Sequence, residues 1–442
     1  MVRRFQLLDS SSPAFRPSLA FFLLISFFMG MAPLSLADDW PTGNGGDASR
    51  ISRTTEVGPT AATILWSGGL PAIVSQQAVI GEGLVILPRI ASFTIPTGTW
   101  IVAHELETGA IRWQVQLPFQ DPDEWRSKVT AVRDGNVYAT RSGGEINPAT
   151  LFALDPADGS ILWESDALIE ERTTETLAFA SDGDLIVGNF SSLSRIDHTS
   201  GNTVWSLPRS TPTSNGALAA VFGDRCYIWE PSPAGPIVTA FDIEIGMRLY
   251  SSPAVSGGFI QQLGLFVGPE GTVYAPRTQN NPVTDFLVAF DDTGTGLVER
   301  WRVPIGYVPF ASHAVGHDGS VYAYRTVRHD SEVDLTVIRL DPRNGDLLDE
   351  SPVILSDFPV QPRMAIDAAR KLYLTNGGFP NGKVVCFDEE LSVLLVSGDH
   401  QREPGRTGSR PPGNPGRLAA SAPTCAPTAP AMRSPSTPSI PG

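Results

Sequence analysis

Short apolar runs of four to seven residues, separated by polar turns, follow one another along most of the chain. The clearest case is Leu151 to Trp163, LFALDPADGSILW, in which two strand-like runs flank a turn of form Asp-x-x-x-Gly and a Trp follows the Gly by four positions. Degenerate copies carry Glu105, Gly109 and Trp113; Asp155, Gly159 and Trp163; Asp197, Gly201 and Trp205; and Asp242, Gly246 and Tyr250. Looser ones carry Asp292, Gly296 and Trp301, then Asp341 and Gly345, then Asp388 alone. The turn glycines are 42 to 50 residues apart, a period that signals an array of one supersecondary unit. Runs rich in Val, Ile, Leu and Phe suit buried strands. The Asp accepts backbone N–H groups within the turn, and the Gly provides the positive φ that closes a hairpin with a bulge. One large aromatic per repeat fills the gap between neighbouring sheets.

A second turn recurs midway between the first: GEGLVIL at Gly83, RDGNVYA at Gly135, SDGDLIV at Gly183, FGDRCYI at Gly223, PEGTVYA at Gly271 and HDGSVYA at Gly319, then AARKLYL without its Gly. Two alternating turns, seven copies of each, predict four short antiparallel strands per repeat, which is a propeller blade. After the N-terminal region no stretch has a helical period. The expected fold is all-β, an eight-bladed propeller whose last blade is incomplete. Eight comes from the strand positions at Trp66, Trp113, Trp163, Trp205, Tyr250, Trp301, Leu348 and Leu394. The Trp66 strand has no inner strands before it, and in a closed ring the C-terminus would supply them.

The pattern A-x-D-x-x-T-G-x-x-x-W resembles the pyrroloquinoline-quinone (PQQ)-like repeat of quinoprotein β-propellers. Ala153, Asp155, Gly159 and Trp163 match it, as do Ala103, Thr108, Gly109 and Trp113. The opening DDWPTGNGGDASR from Asp38 is also similar to how such propellers begin, and the resemblance covers residues 38–394. It implies two functions. One is a dehydrogenase holding PQQ and Ca²⁺ at the ring axis, with an acidic base, Glu, Asn and Asp ligands and a vicinal Cys pair. None of these maps onto a numbered position, and no two Cys are adjacent. The other is a non-catalytic interaction platform in the cell envelope, like the propeller lipoprotein of the outer-membrane β-barrel assembly machinery. This chain has no Cys at the leader cleavage site to carry a lipid. A carbohydrate-binding propeller is a third class, with no specific residues to support it.

Residues 1–37 read as a secretory signal: Arg3, Arg4 and Arg16 precede an apolar run from Leu19 to Met31, with Ser35-Leu36-Ala37 as the cleavage site. The run is short for an uncleaved anchor. The total charge is −15; residues 1–37 (three Arg, one Asp) and 396–442 (five Arg, one Asp, one Glu) carry +2 and +3 of it, so the body 38–395 carries −20. Such a body disfavours nucleic acid and anionic lipid as partners. The expected protein is a secreted or periplasmic monomer that binds envelope or extracellular proteins, with no stable membrane span and no cofactor. Residues 396–442 hold ten Pro and no strand pattern, a disordered composition. The change falls where the seventh Trp is due, which suggests a frameshift near Leu394 that re-sequencing would test; a genuine linker is the alternative.

Cys226 and Cys386, in strands of different repeats, read as buried single thiols; Cys425 lies in the tail. His313 and His317 are four apart, across a strand entering a turn, so they do not converge on a metal. His104, His198, His329 and His400 are scattered. The turns Asp155-Pro156-Ala157-Asp158-Gly159 and Asp291-Asp292-Thr293-Gly294 lack the ligand alternation of a Ca²⁺ loop and read as structural. The loop Asp121-Pro122-Asp123-Glu124-Trp125-Arg126 is a candidate rim contact.

Overall fold

Within each blade, every strand run pairs with the next. The computed structural model describes residues 50–61, 63–68, 78–90, 98–119, 124, 126–142, 148–170, 177–209, 218–255, 264–280, 283–307, 312–329, 332–357, 362–378 and 382–397. The chain forms two compact units, 1–399 and 400–442, and every described residue lies in the first. That unit is a propeller of seven antiparallel sheets, each with four strands in sequence order. Blades 1 to 7 span 79–115, 126–170, 177–208, 220–251, 266–306, 314–356 and 364–396. Blades 2 and 6 add a two-residue strand, Ile169–Glu170 and Leu355–Ser356. No helix is long and apolar enough to cross a membrane among the described residues.

Burial grades outward. The second strand of blade 2, Asn136–Ser142, is buried at every position, whereas its outer strand Ile161–Glu164 is exposed at three of four. Blades stack face to face, and the core consists of clusters that each join two consecutive blades. One such cluster unites Val79, Ile86 and Trp113 of blade 1 with Val129, Val137 and Phe152 of blade 2. Another unites Tyr227, Trp229 and Val238 of blade 4 with Val273, Val288 and Phe290 of blade 5.

The Asp-x-x-x-Gly turns join the third and fourth strands. In blade 2 the Gly159 amide donates to Asp155 O (2.8 Å) and the Asp155 amide to Ser160 O (2.8 Å). The register shifts by one residue just before the turn, between Ala153 and Leu154, and the same bulge recurs in blades 1, 3, 4, 5, 6 and 7. The second family of turns joins the first two strands, with Gly83, Gly135, Gly183, Gly223, Gly271 and Gly319 all at positive φ.

Three details differ from the sequence expectation. Blade 5 has Gly294, not Gly296, at positive φ, because its turn closes through Thr293 N to Gly296 O. The bulge places Asp349 and Leu395, not Leu348 and Leu394, where the other blades carry their aromatic: Asp349 faces Arg339 and Leu395 faces Cys386. Finally, seven complete sheets are present, and the eighth, incomplete blade that was expected has no sheet among the described residues. Residues 63–68, around Trp66, belong to no sheet among the described residues. The leader, residues 38–49 and the tail from residue 398 lie outside the described residues; Val396, expected to begin the tail, instead ends the last strand of blade 7.

Candidate functional site

The predicted repeat residues meet at the seams between blades. Trp113 Nε1 donates to Pro156 O of the following blade at 2.7 Å, and its ring covers Gly159. Trp163 pairs with His198 O (3.0 Å) and Gly201; Trp205 pairs with Ile243 O (2.9 Å) and Gly246. Trp301 donates to Pro342 O (2.9 Å) over Gly345. In every case the aromatic of one blade rests on the turn of the next, and a Cβ on the glycine would collide with the indole. The turn carboxylates are used locally: Asp155 Oδ1 accepts the Ala157 amide, Asp197 Oδ1 the Thr199 amide, and Asp242 Oδ1 the Glu244 amide. The Thr199 and Ser200 hydroxyls join in at Asp197, and these bonds take its pKa down to about 2.

Two seams lack the Trp, and polar networks stand in its place. Tyr250 of blade 4 donates to Asp292 Oδ1 of blade 5 (2.6 Å); Tyr227 (2.5 Å) and Arg225 (3.0 Å) donate to Oδ2, and the Gly294 amide (2.8 Å) completes the set. Burial opposes charge on Asp292, but the two phenols, the amide and the guanidinium outweigh it and hold the carboxyl below its usual range. Between blades 6 and 7, Arg339 bonds Asp318 (2.8 Å) and Asp349 (3.1 Å) and reaches Glu389 of blade 7 at 3.6 Å. Arg195 occupies the equivalent place in blade 3; it pairs with Asp184 (2.8 Å) and crosses to Ile243 O (3.0 Å) and Glu244 (3.3 Å) of blade 4.

Among the described residues the histidines do not form a site, and His400 and the His329 side chain lie outside them. His313 is buried against Phe266, and desolvation lowers its pKa to about 4. His317 Nε2 instead donates to Asp367 O of blade 7 (3.0 Å). His104 Nδ1 donates to Gly109 O (2.9 Å), and His198 Nδ1 to Asp184 Oδ1 (3.0 Å). Cys226 and Cys386 are buried free thiols in blades 4 and 7. Of the rim loop, residues 121–123 and 125 lie outside the described residues; Glu124 O accepts Arg141 Nε (2.9 Å).

A cleft of about 570 Å³ opens between blades 5 and 6, lined by Glu270, Tyr274, Arg300, His317, Asp318 and Arg343 among others. Its size suits a small ligand. Its charges are largely matched within the protein: Arg300 with Asp291, Arg343 with Asp341, Asp318 with Arg339. Sequence reasoning missed this cleft and both polar seams; only the departures from Trp, at Tyr250 and at the position read as Leu348, pointed to the seams.

A quinone–calcium centre needs several oxygen ligands and a base converging on one point. Among the described residues no group of three or more His, Cys, Asp and Glu side chains converges in that way. The turn carboxylates, one per blade, are held apart by their own hydrogen bonds, so this donor set does not fit the group.

A family model described as outer membrane protein assembly factor BamB matches residues 97–348, more than half of the chain. Solved structures of similar shape include BamB from Moraxella catarrhalis, at 15% identity over 67% of this chain and 79% of that one, with a TM-score of 0.42. A europium-containing methanol dehydrogenase shares 11% identity over 82% of this chain and 85% of its own (TM-score 0.43). The Dos1 propeller shares 13% over 71% and 81% (TM-score 0.47). Likeness at this level carries no functional argument. No curated protein matches the chain in sequence.

Proposed function

The chain belongs to the PQQ-like repeat family described as outer membrane protein assembly factor BamB, and from that premise we propose that it is an exported, non-catalytic propeller that binds other proteins of the cell envelope. The observation that carries this reading is the use of the repeat carboxylates. Asp155, Asp197, Asp242 and Asp292 cap turns and join seams, so these carboxylates serve the ring's own architecture. The leader pattern of residues 1–37 and the acidic body support export and solubility. The quinoprotein dehydrogenase that the same repeat invites would need a ligand set that the described residues do not offer.

Tagged protein in its native cells tests the reading. Cell fractionation and in-cell cross-linking should recover a chain cut near Ala37, outside the cytoplasm and joined to envelope proteins. Recovery of an uncut, cytoplasmic chain without cross-linked neighbours would contradict it.

A further inference from the structure

The cleft between blades 5 and 6 is built from three turns and two outer strands. Residues 268–272 join the first two strands of blade 5, and residues 317–320 belong to the matching turn of blade 6. Residues 341–343 open the turn between the third and fourth strands of blade 6. Arg300 reaches the cleft from the outer strand of blade 5, and Leu348 from that of blade 6. Antiparallel strands in sequence order put all three turns on one face of the ring, and the cleft opens there.

Its polar groups are held in place by the protein itself. The Arg300 guanidinium is fixed between Asp291 and Pro342 O (3.0 Å). Arg343 forks onto Asp341 through Nε (3.0 Å) and Nη2 (2.5 Å). Asp318 accepts the Ser320 amide (3.0 Å) and Arg339 Nη2 (2.8 Å). An entering anion would compete with Asp291 and Asp341 for the arginines, and a cation with Arg339 for Asp318, so the pairing weakens the pull on either ion. Among the charged residues that line the cleft, Glu270 alone makes no ion pair with a described residue. What the lining offers is donors and acceptors side by side in fixed positions. A hydroxyl both donates and accepts, so a ligand rich in hydroxyls can use such a mixed set, whereas a carboxylate only accepts and an ammonium only donates. Fixed groups also lower the ordering cost of binding. Pro269, Pro342 and Leu348 add apolar surface for the C–H faces of such a molecule.

We propose that the cleft between blades 5 and 6 binds a small neutral saccharide, whose hydroxyls bond to Glu270, Arg300, Asp318 and Arg343. A volume of about 570 Å³ admits such a molecule. The four side chains come from separate turns and strands within residues 270–343, and only the packing of two blades brings them together, which is why no local motif marks them. The inference concerns a ligand site and stands apart from the envelope-platform reading.

The test is a calorimetric titration of the full chain with glucose, N-acetylglucosamine, maltose and cellobiose, and with two charged counterparts, glucosamine and glucuronate. At least one neutral sugar should bind saturably at millimolar concentration or below, and more tightly than both charged ones. Bound sugar should protect the amides of 268–272 and 317–320 from hydrogen exchange. Leu348 is 46% exposed, so Leu348→Trp should fill the cleft and abolish binding while leaving the unfolding midpoint in place. Glu270→Ala should weaken binding by about tenfold or more. Four results would each overturn the proposal: no saturable binding of any of the neutral sugars, tighter binding of glucosamine or glucuronate, protection confined to other residues, or binding undiminished in either variant.

Discussion

Trp163 of blade 2 stands on Gly201 of blade 3, with its Cε3 2.5 Å from where a Cβ would be and its Nε1 donating to His198 O at 3.0 Å. Gly201 meets two demands at once: a φ of 75° that closes the turn, and no side chain under the indole. Gly223 meets only the first, with φ 61° and nothing within 4 Å of its virtual Cβ. Gly201→Ala should therefore cost about 2–4 kcal/mol, combining left-handed strain with overpacking. Gly223→Ala should cost about 1 kcal/mol from strain alone. Urea unfolding of both variants measures the difference.

Asp292 makes the seam between blades 4 and 5 sensitive to acid. Its pKa is lowered in the fold, so the stability it contributes is complete above the unfolded carboxyl value near 3.9 and is lost as pH falls below that through the folded value. Asp292→Asn should cost about 1–3 kcal/mol at neutral pH. It should also flatten the fall in melting temperature below pH 4, as pH-dependent calorimetry would show.

His313 acts over a higher pH range. It is 5% exposed and held neutral, with its pKa taken from 6.5 to about 4, so the unfolded chain binds a proton that the folded chain refuses. Stability is full above pH 6.5 and falls as pH drops toward 4, by up to about 3 kcal/mol. His313→Phe should remove that slope while leaving the slope below pH 4 intact.

Arg339 replaces the missing Trp contact between blades 6 and 7. Its loss leaves Asp318, Asp349 and Glu389 facing one another, and Arg339→Ala should cost about 2–4 kcal/mol. Arg339→Lys should recover only part, since an ammonium cannot reproduce the planar fork. Arg112→Ala, which breaks an ion pair whose partners are 36% and 35% exposed, should leave the transition where it is. Chemical unfolding of the three variants ranks them.

Much of the fold was legible because its signals are local. Gly159 and Trp163 announce a turn and a strand within thirteen residues, and the repeat of that spacing gives the blades. Trp163's partner is not local: His198 lies 35 residues away, and only the blade stacking brings them together. Tyr250 could be seen as a departure from Trp, but not the bond of its hydroxyl to Asp292, 42 residues on. In FDDTGTG the choice between Gly294 and Gly296 depends on a turn one residue different from its fellows, which composition leaves open. Trp66 divides in the same way between local and distant signals. Its docking on Gly109 is intact, while strand pairing needs a partner that no local pattern supplies.

The central claim is that the repeats build architecture and hold no redox cofactor. A titration of the purified chain with PQQ, with and without Ca²⁺, tests it most directly, following quinone absorbance and dye reduction with simple alcohols and sugars. The account predicts no saturable binding at micromolar PQQ and no turnover. Stoichiometric, Ca²⁺-dependent binding with dye reduction would contradict it and make the ring axis an active site.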